Sequence, residues 1–492
     1  MILKRFYDEK LAQASYLIAC EATGSALIVD PNRDVDRYIR AAEAEGVEIT
    51  HVTETHIHAD FVSGSRELAK RCGARLYLSG EGGERWGYAF ARDDDAILLK
   101  EGDSFEVGKI RIDALHTPGH TPEHLTFLVT DGAAADRPIG ALTGDFLFAG
   151  DVGRPDLLER AAKLEGTMDP GARALFQSLQ RFRAQPDYLQ IWPGHGAGSA
   201  CGKGLSGVPH STVGYERLFN WALAIADEDE FVRAVLAGQP EPPRYFAEMK
   251  RINQAGPRIL GGFARPQRLP GARIRSLRDA DGLVIDIRHA ADFAAGHVPG
   301  SINIPLNKAF TTWAGWLIPY DRDVHLLLDD SCEQCLDEAV RSLAMIGLDR
   351  VAGYFGTEAI EAFGAEGSRE VVPQIAVDEL TDRLRRREAM VVLDVRGAAE
   401  FDAGHIPGAR NIPVGHLSDR LDEIARDKPV VVHCQSGARS AIAASVLQAR
   451  GFANVVQFAG GYPAWQAAGN PTERDGSVNH LRSRDPFHRP PR

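Results

Sequence analysis

The sequence predicts an α/β protein made of three domains in series, and three observations carry that expectation. At 492 residues the chain is longer than one hydrophobic core organises. Its N-terminal half alternates short β-branched runs with polar helical stretches. Its C-terminal half repeats itself: Asp286–Pro305 reads DIRHAADFAAGHVPGSINIP and Asp394–Pro413 reads DVRGAAEFDAGHIPGARNIP, which marks a duplicated domain.

Taken in order, ALIVDP is a strand, DRYIRAAEAEG an amphipathic helix and ITHVTETHIHAD a strand running into a loop. A second set of strands follows at KIRIDALHTPGH, LTFLVT and ALTGDFLFAGD, then helical patterns around Arg173–Phe182 and Tyr215–Ala237. The Pro-rich GQPEPPRYF leads out of this half. The expected domains are 1–265, 266–370, 371–470 and a flexible tail at 471–492. Later in the repeat IGLDRV faces RGFANV with four extra residues in the first copy, expected in TTWAGWLIPYD.

A composition of 44% hydrophobic and 25% charged residues is that of an ordinary globular protein. The net charge of -12 argues against a nucleic-acid partner. The first twenty residues carry charges where a signal peptide needs an apolar core, and no apolar run reaches membrane-spanning length. Six cysteines in so long a chain are too few for a disulfide scaffold, so a cytoplasmic location is expected. Cys20 and Cys72 fall in strand and helix contexts, where burial is expected.

Four clusters of histidine and aspartate each stand where a strand gives way to a Gly-containing loop. They are His56-Ile57-His58-Ala59-Asp60, His116 to His120, Thr143-Gly144-Asp145 and Pro193-Gly194-His195. From such positions a layered fold can converge side chains on one ion.

These clusters resemble those of the metallo-β-lactamase superfamily, and the resemblance covers about the first half of the chain. It implies an αββα sandwich. One departure is informative: Phe61 stands where the two-metal members have a histidine, and a phenyl ring has no donor atom. HTPGHTPEHLTF, TGDFLFAGDVGRPD and IWPGH look like the persulfide dioxygenases of the superfamily. By position, that resemblance implies one Fe(II) per chain held by His56, His120 and Asp145. Two imidazoles and a carboxylate leave iron positions open for a persulfide and O2 together. His58 and His195 are then hydrogen-bonding groups behind the ligands, and Asp60 orients a ligand imidazole. Arg154 is the candidate grip on the substrate's anionic part. Cys201, in a Gly-rich loop just beyond His195, is a candidate sulfur acceptor, with Lys203 and the metal as sources of positive charge for its thiolate.

In the second copy of the repeat the strand PVVVHC runs into Cys434, then Gln435 to Ser440, then a helix. A cysteine at that junction meets backbone N–H groups and the positive end of a helix dipole, which favour the thiolate. Ser436, Gly437, Ala438 and Ser440 are expected to cradle the substrate, and Arg439 to add a fixed positive charge. With the DVR, GHIPGA and FAGGYPAW segments this loop resembles the rhodanese sulfurtransferases. In the first copy Asp330 falls opposite Cys434 and Cys335 opposite Arg439. That copy is expected to be a catalytically silent docking domain, with Cys332 and Cys335 as a CxxC pair able to bind metal or form a redox disulfide.

Together these resemblances imply two α/β rhodanese domains after the αββα sandwich. They imply an enzyme that oxidises a low-molecular-weight persulfide to sulfite and passes sulfane sulfur through Cys434 to sulfite, giving thiosulfate. The expected partners are glutathione-, coenzyme A- or other thiol-based persulfides, O2 and sulfite, with no membrane, in a homo-oligomer. The alternatives are a glyoxalase II-like thioester hydrolase with an attached sulfur carrier and a non-catalytic, sulfide-responsive sulfur-binding protein.

Overall fold

The computed structural model describes residues 1–364 and 369–474, so the expected tail lies outside the described residues from 475 onward. Its first residues are not free: Trp465 Nε1 donates to the Pro471 carbonyl, and Glu473 pairs with His405 through two backbone bonds. The chain divides into two compact units. One holds Met1–Pro266, Asn307–Arg322 and Glu333–Val351, and the other holds the remaining residues.

The N-terminal unit is an αββα sandwich. One six-stranded sheet runs, neighbour to neighbour, Ile2–Asp8, Gln13–Cys20, Ser25–Val29, Glu48–Thr53, Arg75–Ser79 and Ile97–Leu99. The other runs Ser211–Thr212, Gln190–Pro193, Gly140–Gly144, Leu125–Asp131, Ile110–His116 and Ser104–Val107. Alternation puts Tyr16, Leu27, Tyr77, Ile112 and Phe127 in the layer between the sheets, and each large apolar side chain so buried stabilises by about 1.5–3 kcal/mol. On the outer face of the first sheet, Leu17, Ile28 and Val52 meet Tyr38 and Leu68 of the helices Asp36–Glu45 and Ser65–Cys72. On the outer face of the second, Leu128 and Ile191 meet Leu175, Phe176 and Phe231. Both central strand sets end at one edge, where the histidine loops begin.

The helical pattern expected over Tyr215–Ala237 is three helices, Val213–Phe219, Trp221–Ala224 and Glu228–Leu236. Asn220 and Asp227 break it, because each side chain caps a new helix by accepting from Ala222 N and Glu230 N. Cys20 is buried as expected, whereas Cys72 is half-buried.

The helices Phe310–Leu317 and Cys335–Met345, expected within the first repeat copy, belong to the N-terminal unit. The reason is electrostatic as well as apolar. Arg341 donates to Asp8 and Asp34, Arg33 reaches Asp349 and the Ala344 carbonyl, and Val62 N donates to Met345 O.

The C-terminal unit holds two sheets. The first copy orders Ile302–Asn303, Leu283–Asp286, Val324–Leu327 and Val351–Phe355. The second orders Gln374–Ile375, Val455–Phe458, Val430–His433, Val391–Asp394 and Arg410–Asn411, all parallel. Strand register corrects the expected alignment. Asp286 pairs with Leu327 as Asp394 pairs with His433, so Leu328, not Asp330, stands where Cys434 does. Asp286 precedes Asp394 by 108 positions, Leu327 precedes His433 by 106 and Gly347 precedes Gly451 by 104. Half of the extra length therefore lies before the strand Val324–Leu327 and half in the loop and helix after it. Cys332 and Cys335 are both disulfide-bonded, and the other four cysteines are free.

Candidate metal centre and sulfur-transfer loop

The loop after Glu48–Thr53 carries His56, His58 and Asp60. His120 follows the strand Ile110–His116, Asp145 follows Gly140–Gly144, and His195 follows Gln190–Pro193. All six are buried. Gly144 lets Asp145 approach: its φ is +47°, and a Cβ there would lie 2.4 Å from Thr55 Oγ1. Each ring is oriented from behind. His56 Nδ1 meets Thr55 Oγ1 at 2.9 Å, His120 Nδ1 meets the Arg154 carbonyl at 3.0 Å, and His195 Nδ1 meets the Ala12 carbonyl at 2.9 Å.

The structure brings the three expected ligands together: the donor atoms of His56, His120 and Asp145 lie within 4.8 Å of one another. Nε2 of the two rings stand 4.0 and 3.6 Å from Asp145 Oδ2. His56 Nε2 and both carboxylate oxygens of Asp145 are buried with no hydrogen-bond partner. Buried orphans of this kind, converging from three loops, fit a divalent metal. Burial keeps both imidazoles neutral, with His120 pushed down to about 3 and His56 well below its ordinary range. Burial also pushes the Asp145 carboxyl up to about 6.

Sequence reasoning missed the residues that hold this frame. Asp30 accepts from Thr55 N at 2.6 Å, Thr55 Oγ1 at 2.9 Å and His58 Nε2 at 3.2 Å. Burial lowers the His58 pKa, but the carboxylates of Asp30, Glu54 and Asp60 outweigh it and hold the ring up to about 9. Asp145 N donates to His124 Nε2, whose Nδ1 meets Thr117 Oγ1. Asn253 Nδ2 donates to the carbonyls of His58 and Phe61, and its Oδ1 accepts from Ser63 N. Asp30 and Asn253 lie outside every motif that carries a ligand, whereas Thr117 and His124 stand in HTPGHTPEHLTF with His120, and Glu54 stands two residues before His56. For Asp30 the DP after strand Ser25–Val29 was the one available hint.

Asp60, His195 and Cys201 form a second group whose donor atoms also lie within 4.8 Å of one another. His195 Nε2 is 3.4 Å from both Asp60 Oδ2 and Asp145 Oδ1. Phe61 therefore does not strip this side of donors, because a thiol stands where no second histidine does. Burial, then Asp60 and Asp145, push the Cys201 thiol well above its ordinary range. Lys203 is not the expected source of positive charge: its ammonium donates to the Ala234 and Ala237 carbonyls and lies over the Trp221 ring.

Arg154 is also placed differently from the expectation. It is completely buried, bidentate to Asp156 at 2.7 and 2.8 Å, and donates to the Ala200 and Pro240 carbonyls. Engaged in this way, the guanidinium ties together the chain on either side of the cluster and has no open face for a substrate anion.

In the second repeat copy Cys434 sits at the end of the strand Val430–His433, and the helix Ala438–Ala449 starts four residues on. Gly437, with φ +98°, turns the loop so that its N–H donates to Cys434 Sγ at 3.1 Å. Gln457 Nε2 fixes the loop at the Gly437 carbonyl and Ser440 Oγ. Ser436 and Ala438 are exposed at the rim, and Gly437 is half-buried. Ser440 is buried beneath the loop, 3.6 Å from Cys434 Sγ. Arg439 is bidentate to Glu400 at 2.5 and 2.8 Å, so its charge is shared with a carboxylate.

An αββα sandwich with a buried His/Asp cluster at one edge, followed by two related α/β domains of which one bears a cradled thiol, defines a candidate metal-dependent protein joined to a duplicated α/β module. The model of the metallo-beta-lactamase superfamily matches residues 9–195, and that of the rhodanese-like domain matches 272–356 and 376–468. The chain is similar to the solved metallo-beta-lactamase from Staphylococcus aureus subsp. aureus COL. The two are 44% identical over 72% of this chain and 99% of that one, with a TM-score of 0.67. It is similar to the hydroxyacylglutathione hydrolase of Rhodopseudomonas palustris, 30% identical over 52% of this chain and 88% of that protein. It also resembles the solved ETHE1 from Myxococcus xanthus, 25% identical over 52% of this chain and 99% of that one, with a TM-score of 0.43. The chain belongs to the metallo-beta-lactamase superfamily and carries tandem rhodanese-like domains. Among the described residues no helix is long and apolar enough to cross a membrane.

Proposed function

We propose that the chain oxidises a low-molecular-weight persulfide to sulfite with O2 and passes sulfane sulfur through Cys434 to sulfite, giving thiosulfate. The observation that carries this reading is the buried, converging set of His56, His120 and Asp145, in which His56 Nε2 and both Asp145 carboxylate oxygens have no hydrogen-bond partner, in one chain with the cradled Cys434 thiol. His56, His120 and Asp145 would hold iron(II), which when bound would supply a Lewis acid able to take a sulfur anion and dioxygen. The chain's part is to keep both rings as neutral ligands, to aim them through Thr55 and the Arg154 carbonyl, and to keep bulk water out.

The overall change balances as RSSH + O2 + H2O giving RSH, sulfite and two protons. In the second half, the Cys434 thiolate takes the outer sulfur of a second RSSH, whose S–S bond breaks to release RSH, and sulfite then attacks the outer sulfur of the Cys434 persulfide. The S–S bond breaks, thiosulfate leaves and the Cys434 thiolate remains, beside the Gly437 N–H. Cys201 is then a group able to hold sulfur next to the cluster. Joining both activities in one chain raises the effective concentration of each intermediate at its consumer.

A second reading, a two-metal thioester hydrolase, is favoured by the Asp60, His195 and Cys201 group. Metal analysis of anaerobically purified protein separates the two: about one iron per chain is expected, and two zincs would overturn the dioxygenase reading. His56→Ala and Asp145→Ala should each lose the metal and persulfide-dependent O2 uptake while keeping sulfur transfer from thiosulfate. Oxygen uptake near the wild-type rate in either variant would refute the ligand assignment.

A further inference from the structure

Helix Phe246–Ala255 is fixed to the metal loop by Asn253, which holds the His58 and Phe61 carbonyls. One turn earlier on the same helix stands Lys250, 7% exposed, whose ammonium is buried without a hydrogen-bond partner. Its one described contact is the face of Trp86, 5.3 Å away. A buried amine with no hydrogen-bond partner is unfavourable, and an occupant able to accept from it would relieve that cost. Three neighbouring elements supply matching orphans: Glu123 Oε2, Tyr88 Oη and Thr121 Oγ1 are all buried and unpartnered. Glu123 Oε1 accepts from Ile57 N, between His56 and His58, and Thr121 follows His120 directly. Burial draws the Lys250 pKa down, and the Glu123 carboxylate opposes that shift. On the outer side, Tyr88 and Gln254 line a cleft of about 460 Å³.

Donors and acceptors of opposite charge, beside a candidate metal centre and otherwise unused, match a ligand that is itself a zwitterion. We propose that Lys250, Tyr88 and Glu123 recognise the amino-acid end of an amino-acid-type thiol persulfide. The carboxylate sits on Lys250 Nζ and Tyr88 Oη, the ammonium on Glu123 Oε2, and the sulfur is presented to His56, His120 and Asp145. This deepens the persulfide reading and rests on it for the identity of the reacting sulfur. It also fills the role that Arg154 leaves open.

The test is calorimetric binding to the metal-loaded full chain, using two unreactive thioethers: S-methylcysteine and 2-(methylthio)ethylamine, which lacks the carboxylate. The wild type should bind S-methylcysteine at least tenfold tighter, about 1.4 kcal/mol, and Lys250→Met should erase that preference. Glu123→Gln should weaken both probes. With cysteine persulfide as substrate, Lys250→Met should raise KM at least tenfold with kcat within threefold. Equal affinity of the wild type for the two probes, or a preference that survives Lys250→Met, overturns the proposal. If Lys250→Met does not fold, Tyr88→Phe decides: a threefold or larger loss of S-methylcysteine affinity supports the site, and unchanged affinity refutes it. A Lys250-dependent preference in a protein that consumes no O2 with any persulfide would leave the recognition site standing and sink the dioxygenase reading instead.

Discussion

In both rhodanese-like copies a buried aspartate ends a central strand and grips an arginine two residues on. Arg288 meets Asp286 at 3.0 and 2.6 Å and the Gly296 carbonyl at 3.1 Å; Arg396 meets Asp394 at 3.0 and 2.6 Å and the Gly404 carbonyl at 2.8 Å. Asn303 and Asn411 each donate to the carbonyls of that aspartate and arginine. His297 and His405 each stack on a phenylalanine at 3.7 Å, and each pairs its backbone with a glutamate. The copies part at the next strand end. In the second, Cys434 leads through Gly437 straight into a helix; in the first, Leu328 leads into a longer loop with a disulfide-bonded CxxC. The helix that follows is Ala438–Ala449 in the second copy. In the first it is Cys335–Met345, which the N-terminal unit has recruited. Duplication thus kept the buried polar frame, which fails if any one partner is lost, and freed the loop, which the frame does not constrain. The first copy therefore carries Leu328 where the second carries the Cys434 thiol.

The largest expected effect breaks this asymmetry at its source. Cys434→Ser should lower thiosulfate sulfurtransferase turnover more than a thousandfold, at least ~4 kcal/mol of barrier, and leave sulfite accumulating in place of thiosulfate. Leu328→Cys should not restore turnover, because the first copy's loop has no left-handed glycine at the Gly437 position to aim an N–H at sulfur. Turnover above a few per cent in Cys434→Ser would reveal a second acceptor, with Cys201 the first to examine.

The shared frame predicts a matched pair of losses. Arg396→Met and Arg288→Met each leave a buried carboxylate without its partner and should each cost about 3–5 kcal/mol. Amide exchange of the strands Val391–Asp394 and Leu283–Asp286 reads each copy separately. A loss in one copy with none in the other would mean that the repeated motif is not a shared structural device.

A smaller effect sharpens the contrast through pH. His433 stands where the first copy has Leu327, and burial, partly opposed by Asp394, pushes it down to about 4. The unfolded ring titrates near 6.5, so between these values the unfolded state binds more protons. Stability of the second copy should therefore fall as pH drops from 6.5 towards 4, by about 3 kcal/mol in all. Amide exchange of the strand Val430–His433, followed from pH 7 to pH 4, should show this decline in the wild type and lose it in His433→Leu. An unchanged pH dependence in that variant would assign the decline to other groups.

The sequence by itself determined the fold class, the repeat and the histidine, aspartate and cysteine motifs, because strand periodicity, turn chemistry and strand-end loops are local properties. Even the convergence of His56, His120 and Asp145 was legible, since each follows its own strand in a layered fold. Only the tertiary structure decided what distant segments do to one another. Arg154 looked like an anion grip until Asp156, Ala200 and Pro240 occupied it, and Phe61 looked like a missing ligand until Cys201 stood beside Asp60 and His195. Asn253 and Lys250 carried no signal at all, and Asp30 only that of the DP pair, for their roles depend on burial against loops far away in the chain. A motif records which atoms are available, whereas desolvation and long-range pairing, which exist only in the folded chain, settle which of them are left free to bind.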